Sequence, residues 1–227
     1  STSVTDLSTL TAQEQQLQLT PDGIQWLGSA RPTVALDLRD DKFNPHKGLI
    51  ASLGLEYTRS LATAKATKIG RTEKQLMVNF VKASGTATFY IPTSRKTTLA
   101  LQIGGGDIVI IGDDGTTTQD AAFYMGGRST LRGFSEKSVW AADTAIDQKF
   151  GDRKDENGNT VYDTNGNPEK ILLLSSGGNA YILYKAEFRF PLSGGFDGGL
   201  FVDAGNIWID PGNFSAWRLR PCAGFGI

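Results

Sequence analysis

The sequence predicts an all-β chain of antiparallel strands whose pattern suits a transmembrane β-barrel, and three observations carry that reading. Successive runs alternate apolar and polar residues with a period of two, the pattern of strands whose faces meet different media. Gly, Asn, Asp and Pro punctuate those runs at short intervals, as tight turns between antiparallel neighbours require. Mean hydropathy is negative, and no apolar run approaches the roughly 18 residues of a spanning helix. That excludes a helical membrane protein but not a barrel, whose alternating strands average out near neutral.

Residues 1–30 are polar, rich in Ser, Thr and Gln, and read as a loop leading into the barrel, with a short strand at 16–20 before the Pro21-Asp22-Gly23 turn. The first clear strand sets Val34, Leu36 and Leu38 against Ala35, Asp37 and Arg39. Asn44-Pro45 and Gly48 mark a turn at 40–48, in which His46 is expected to be solvated. The second strand opposes Ala51, Leu53, Leu55 and Tyr57 to Ser52, Gly54, Glu56 and Thr58, and Tyr57 suits an interfacial aromatic girdle. The third, 76–91, opposes Val81, Ala83, Ala87, Phe89 and Ile91 to Lys82, Ser84, Thr86, Thr88 and Tyr90. The fourth, 98–103, turns Leu99, Leu101 and Ile103 outward and stops before Gly104-Gly105-Gly106. Neither a helical pattern nor Lys-Ser/Thr follows that triplet, so it is not read as a phosphate cradle.

Residues 125–134 read as a loop between strands. Gly126 and Gly127 permit positive φ and close approach to a wall, while Leu131 and Phe134 bracket Arg132-Gly133 as apolar anchors. A polar insertion follows at 147–170. Its Asx residues resemble calcium loops, but the glycines fall too early and the twelfth positions are Gly166 and Leu174, so no metal site is expected. Its two Asn-Gly steps flanking 160–162 suit an exposed loop or small hairpin.

The last three strands carry the charges that matter. With Ile182, Tyr184, Ala186, Phe188 and Phe190 facing lipid, Lys185, Glu187 and Arg189 face the lumen. With Leu200, Val202 and Ala204 facing lipid, Asp203 faces the lumen too. Two carboxylates thus lie on the same polar face of consecutive strands, and the planar fork of an arginine suits such a pair. The final strand, 218–227, turns Leu219, Ala223 and Phe225 outward and Arg218, Arg220 and Cys222 inward, with Cys222 a packed small thiol.

Composition narrows the function. Lys plus Arg number 23 against 24 Asp plus Glu, which leaves no basic footprint for nucleic acid. One cysteine excludes an internal disulfide framework, and a single histidine argues against a histidine-rich metal centre. No nucleophile, base or cofactor constellation appears, so neither catalysis nor a cofactor is expected. A membrane location demands a signal peptide that does not open the sequence at Ser1, so the chain reads as a fragment of a longer precursor.

The segments 126–134 (Gly-Gly-x-x-x-x-Arg-Gly-Phe), 187–191 (Glu-x-Arg-Phe-Pro) and 201–205 (Phe-Val-Asp-Ala-Gly), in that order, resemble the barrel of the BamA/TamA superfamily, also called the surface-antigen family. The resemblance extends to 31–40, 44–48 and 219–224. It implies that residues 31–227 are the C-terminal part of a sixteen-stranded barrel, about seven or eight strands of it. It further implies a loop at 123–140 folded into the lumen and a polar extracellular insertion at 141–178. The implied site is a luminal salt bridge of Arg132 with Glu187 and Asp203 that braces a loop motif of Gly126, Gly127, Leu131, Gly133 and Phe134. The implied function is insertion and folding of outer-membrane proteins in a Gram-negative outer membrane. Its partners are the lipid bilayer, unfolded client barrels and periplasmic or lipoprotein accessory subunits. A two-partner-secretion translocation pore and a barrel anchoring a patatin-like lipase use the same motifs and stand as alternatives.

Overall fold

The computed structural model describes residues 26–61, 67–69, 72–74, 77–112, 115–145, 149–152, 159–172, 175 and 177–227. The long strands are β3 (Gly48–Ser60), β6 (Met77–Pro92), β7 (Thr98–Ile110), β11 (Ala180–Pro191), β12 (Asp197–Trp208) and β13 (Arg220–Gly226). Shorter ones are β1 (Leu27–Ala30), β2 (Thr33–Asp37), β4 (Thr67–Ile69), β5 (Thr72–Lys74), β8 (Gly115–Thr116), β9 (Phe150–Asp152) and β10 (Lys170–Leu172).

β1 and β2 are one interrupted strand along β3, with Leu27 opposite Ser60 and Asp37 opposite Ile50. Pro32, which has no N–H to give, makes the interruption, and its carbonyl still accepts from Leu55 N at 3.0 Å. The leading segment expected as a loop therefore already carries a strand at Leu27–Ala30. Residues 1–25, with the strand expected at 16–20, lie outside the described residues. From β1/β2 the order runs β3, β6, β7, β11, β12, β13, every neighbour antiparallel, which makes seven strands of a partial barrel. Among the described residues, β2 and β13 are not paired with each other.

Alternation gives the sheet two unlike faces. Val34, Leu36, Leu53, Leu55, Leu101 and Phe188 are exposed on the outer face, with no second sheet packed over them among the described residues. The buried core lies on the other face, between the sheet and the loop after β8. One cluster joins Met125, Leu131, Val139 and Ala141 of the loop to Leu183 and Ile207 of the wall. A second joins Ala121 and Phe123 to Val78, Phe80 and Ile108. Without the loop these wall residues would face open space, so loop and wall bury each other.

Two expectations need correction. β7 does not stop before the glycine triplet but continues through it to Ile110, with Gly105 paired to Gly85 on one side and Ile182 on the other. Glycines carry no alternation signal, and here their bareness has a use. A Cβ on Gly106 would lie 2.7 Å from both Phe123 Cζ and Tyr181 Cε1, so Gly106 leaves room for the loop. His46 is not simply solvated either: its Nδ1 lies 2.7 Å from the hydroxyl of Thr98, which is buried at the start of β7.

In the polar insertion, β9 pairs with β10. Between them Asp163 Oδ1 accepts the N–H groups of Asn165 and Asn167, and Gly166 has φ 79°, a tight Asn-Gly turn. Asn157-Gly158 lies outside the described residues.

Candidate functional site

The loop turns back on itself before it reaches the wall. Gly126 and Gly127 have φ 109° and 91°, and a Cβ on Gly126 would stand 2.2 Å from Ser135 O. Only glycine fits that turn. Thr130 closes it: its hydroxyl accepts from Gly126 N and donates to Gly126 O, both at 2.9 Å. Gly127 N donates to Phe134 O at 2.8 Å, so 127–134 forms a closed lobe with Arg132 near its tip. Leu131, 0% exposed, anchors the lobe in the first core cluster, and Phe134 packs against the same cluster.

Arg132 then meets the wall. Its Nε donates to Asp203 Oδ2 at 2.8 Å and its Nη2 to Asp203 Oδ1 at 2.7 Å, a bidentate pair. Nη1 donates to Glu187 Oε2 at 2.5 Å. The loop backbone joins in, with Arg132 N 3.4 Å from Asp203 Oδ2. Phe201, two residues before Asp203 on the same face of β12, lies under the guanidinium, 3.6 Å from Cζ to ring centroid. On β11, Arg189 Nε donates to the other oxygen of Glu187 at 2.8 Å. Two cations thus face two anions, with Lys185 on β11 close enough to feel the same charges.

Burial sets the stakes. Asp203 is 0% exposed and the Arg132 side chain 20%. At an effective dielectric of about 20, two charges 4 Å apart attract by roughly 4 kcal/mol before desolvation is subtracted. Asp203 foremost, and then Glu187, push the Arg132 pKa above its ordinary value, against the opposing effect of burial. The guanidinium is a permanent cation, suited to holding a loop in place rather than to moving protons.

The edge strand also contributes. Gly133 N donates to Cys222 Sγ at 3.3 Å, and a Cβ on Gly133 would come within 2.5 Å of Cys222 Cβ. Further along, Arg220 Nη1 donates to Trp140 O and to Asn206 Oδ1, both at 2.6 Å. Lys185 Nζ reaches Ser129 O at 3.3 Å. The loop is therefore tied to β11, β12 and β13 together.

The structure brings Arg132, Glu187 and Asp203 into one cluster and sets Gly126, Gly127, Leu131, Gly133 and Phe134 in the lobe that carries the arginine. Phe201, Thr130, Arg189 and Cys222 complete it without having been singled out as site residues. Phase alone places Phe201 beside Asp203, and that signal was available. Thr130 and the Cys222 contact depend on loop geometry. Among the described residues no cluster of three or more His, Cys, Asp or Glu suitable for a metal is found.

A meander of long antiparallel strands, apolar outside and braced inside by a folded-back loop, defines a partial membrane β-barrel with a luminal loop. The Omp85 superfamily domain matches residues 2–227, and the chain belongs to that superfamily. Among solved structures it is similar to BamA from Haemophilus ducreyi lacking POTRA domains 1–3, with a TM-score of 0.58 and 17% identity. That likeness covers 87% of this chain and 35% of the other, so the chain spans about a third of the length of that relative. A search of curated proteins gives no match.

Proposed function

We propose that this chain is the C-terminal portion of the barrel of a BamA/TamA-type factor that inserts and folds proteins in the outer membrane of a Gram-negative bacterium. In this reading the barrel portion begins with the strand Leu27–Ala30 rather than at residue 31, residues 123–140 with Ala141 form the luminal loop, and the extracellular insertion follows. The observation that carries the reading is the bidentate Arg132–Asp203 pair, extended to Glu187. It fixes a loop across two adjacent strands, β11 and β12, and so holds one wall of the barrel in a set shape, as a machine that must stay folded while its lipid surroundings are disturbed requires. The partners in this reading are the bilayer, unfolded outer-membrane clients and periplasmic or lipoprotein accessory subunits. The chemistry is noncovalent, with no catalytic residue and no cofactor.

The test is reconstitution of the full-length protein in proteoliposomes with an unfolded client barrel. Wild type should speed client insertion, and Arg132→Ala should slow it. Export of an unfolded soluble substrate without client insertion favours the two-partner-secretion alternative. A Gly-x-Ser-x-Gly motif in the N-terminal part of the full reading frame, with hydrolysis of lipid esters, favours the lipase anchor. Normal client insertion by Arg132→Ala removes the brace from the mechanism.

A further inference from the structure

The outer face carries a feature that the brace does not use. One outward row across the sheet reads Leu53, Gly85, Gly105, Ile182, each paired with the next. Two adjacent glycines leave the middle of that row without side chains, and a groove of about 700 Å³ opens over it. The next row, toward the insertion, reads Ala83, Asp107, Ala180, Trp208. Asp107 lines the groove between two alanines, and its Oδ1 is buried with no hydrogen-bond partner among the described residues. Pro211 and Phe214 line the same end, the Phe214 ring packed 4.9 Å from that of Trp208. A second groove of about 430 Å³, lined by Phe89, Leu101 and Val202, shares Ile103 with the first and continues it along the same face.

A carboxylate on a lipid-facing wall is costly and marks a site. Its unpartnered Oδ1 accepts hydrogen bonds, so an occupant that satisfies it brings a donor. The furrow is apolar along its length, which suits hydrocarbon. Phe214 offers an exposed flat ring beside the acid, a surface for the carbon face of a sugar that a compact ammonium would leave unused. We propose that this furrow binds a glycolipid, its acyl chain over Gly85 and Gly105 and a sugar hydroxyl donating to Asp107.

The inference rests on the membrane reading of the outer face. Its test uses the full-length protein in phosphatidylcholine nanodiscs doped with monoglucosyl diacylglycerol or with diacylglycerol of the same chains, bound lipid being counted by native mass spectrometry. Wild type should retain the glucosyl lipid about tenfold better, as one added hydrogen bond allows. Asp107→Ala should erase the preference. Gly105→Leu should reduce retention of both lipids, because a Cβ there meets nothing nearer than Tyr181 O at 3.5 Å and the added side chain fills the groove without displacing backbone. Equal retention of the two lipids by wild type overturns the proposal, as does preference for an ammonium-headgroup lipid or full retention by Gly105→Leu. Failure of the protein to enter nanodiscs would overturn the membrane reading itself, a distinct result.

Discussion

Arg132 and Asp203, 71 residues apart in sequence, meet through two parallel hydrogen bonds, Nε to Oδ2 and Nη2 to Oδ1, with the acid fully buried. Such a pair is unforgiving, because removing one partner leaves the other charge buried without compensation. Arg132→Ala and Asp203→Arg should each lower the barrel's stability by about 3–5 kcal/mol. Arg128 is exposed and makes no such contact among the described residues, and Arg128→Ala should change stability by less than about 0.5 kcal/mol. Unfolding of the purified full-length barrel, followed by its heat-dependent gel migration, measures all three. An Arg132→Ala barrel as heat-resistant as wild type would end the brace argument.

Phe201 contributes through its ring face alone. Phe201→Leu keeps most of the apolar volume and removes the stacking under Arg132, so the loss should be about 0.5–2 kcal/mol, smaller than that of Arg132→Ala. In the double variant the Phe201 effect should largely vanish, since its partner is already gone. Additive losses would place the contribution of Phe201 elsewhere.

Gly133 and Cys222 offer a steric test with a built-in rescue. Gly133→Ala should push the lobe off β13, because the new Cβ lies 2.5 Å from Cys222 Cβ. Cys222→Gly removes that obstacle and should restore much of the lost stability in the double variant. The readout is protease protection of the loop, compared across the two single variants and the pair.

The turn between β2 and β3 should be sensitive to acid. Asp40 Oδ1 accepts the backbone N–H groups of Lys47, His46 and Asp41, and the Lys47 bond is foremost in holding its carboxyl below the ordinary carboxylate value. A depressed acid stabilises above its unfolded pKa, near 4, and loses that contribution as pH falls through the lower folded value. Acid should therefore loosen this turn below about pH 4, and Asp40→Asn should be weaker at neutral pH yet flatter with pH in that window. Amide exchange at His46 and Lys47 across pH 3–7 reads the difference directly.

Much of the wall was legible because a strand in a barrel records its two media residue by residue. Seven alternating runs gave seven strands, and the same phase put Glu187 and Asp203 on one face. The signal failed where side chains were missing or where partners were remote. Gly104-Gly105-Gly106 cannot alternate, so the continuation of β7 was invisible in it. The pairing of Leu27–Ala30 with β3 depends on register across a proline break, and His46 meets Thr98 only because the turn folds toward a strand 52 residues away.

The sequence by itself determined which side of each strand meets lipid and which residues are turned inward, since a period of two is a local property of the chain. Tertiary structure alone decided what the inward residues touch. The lobe of 127–134 closes through Thr130 and presents one arginine to two strands, and its tip reaches a third through Cys222. Distances across a sheet are set by strand register and by the depth to which a loop packs, and neither is written in any local pattern of residues.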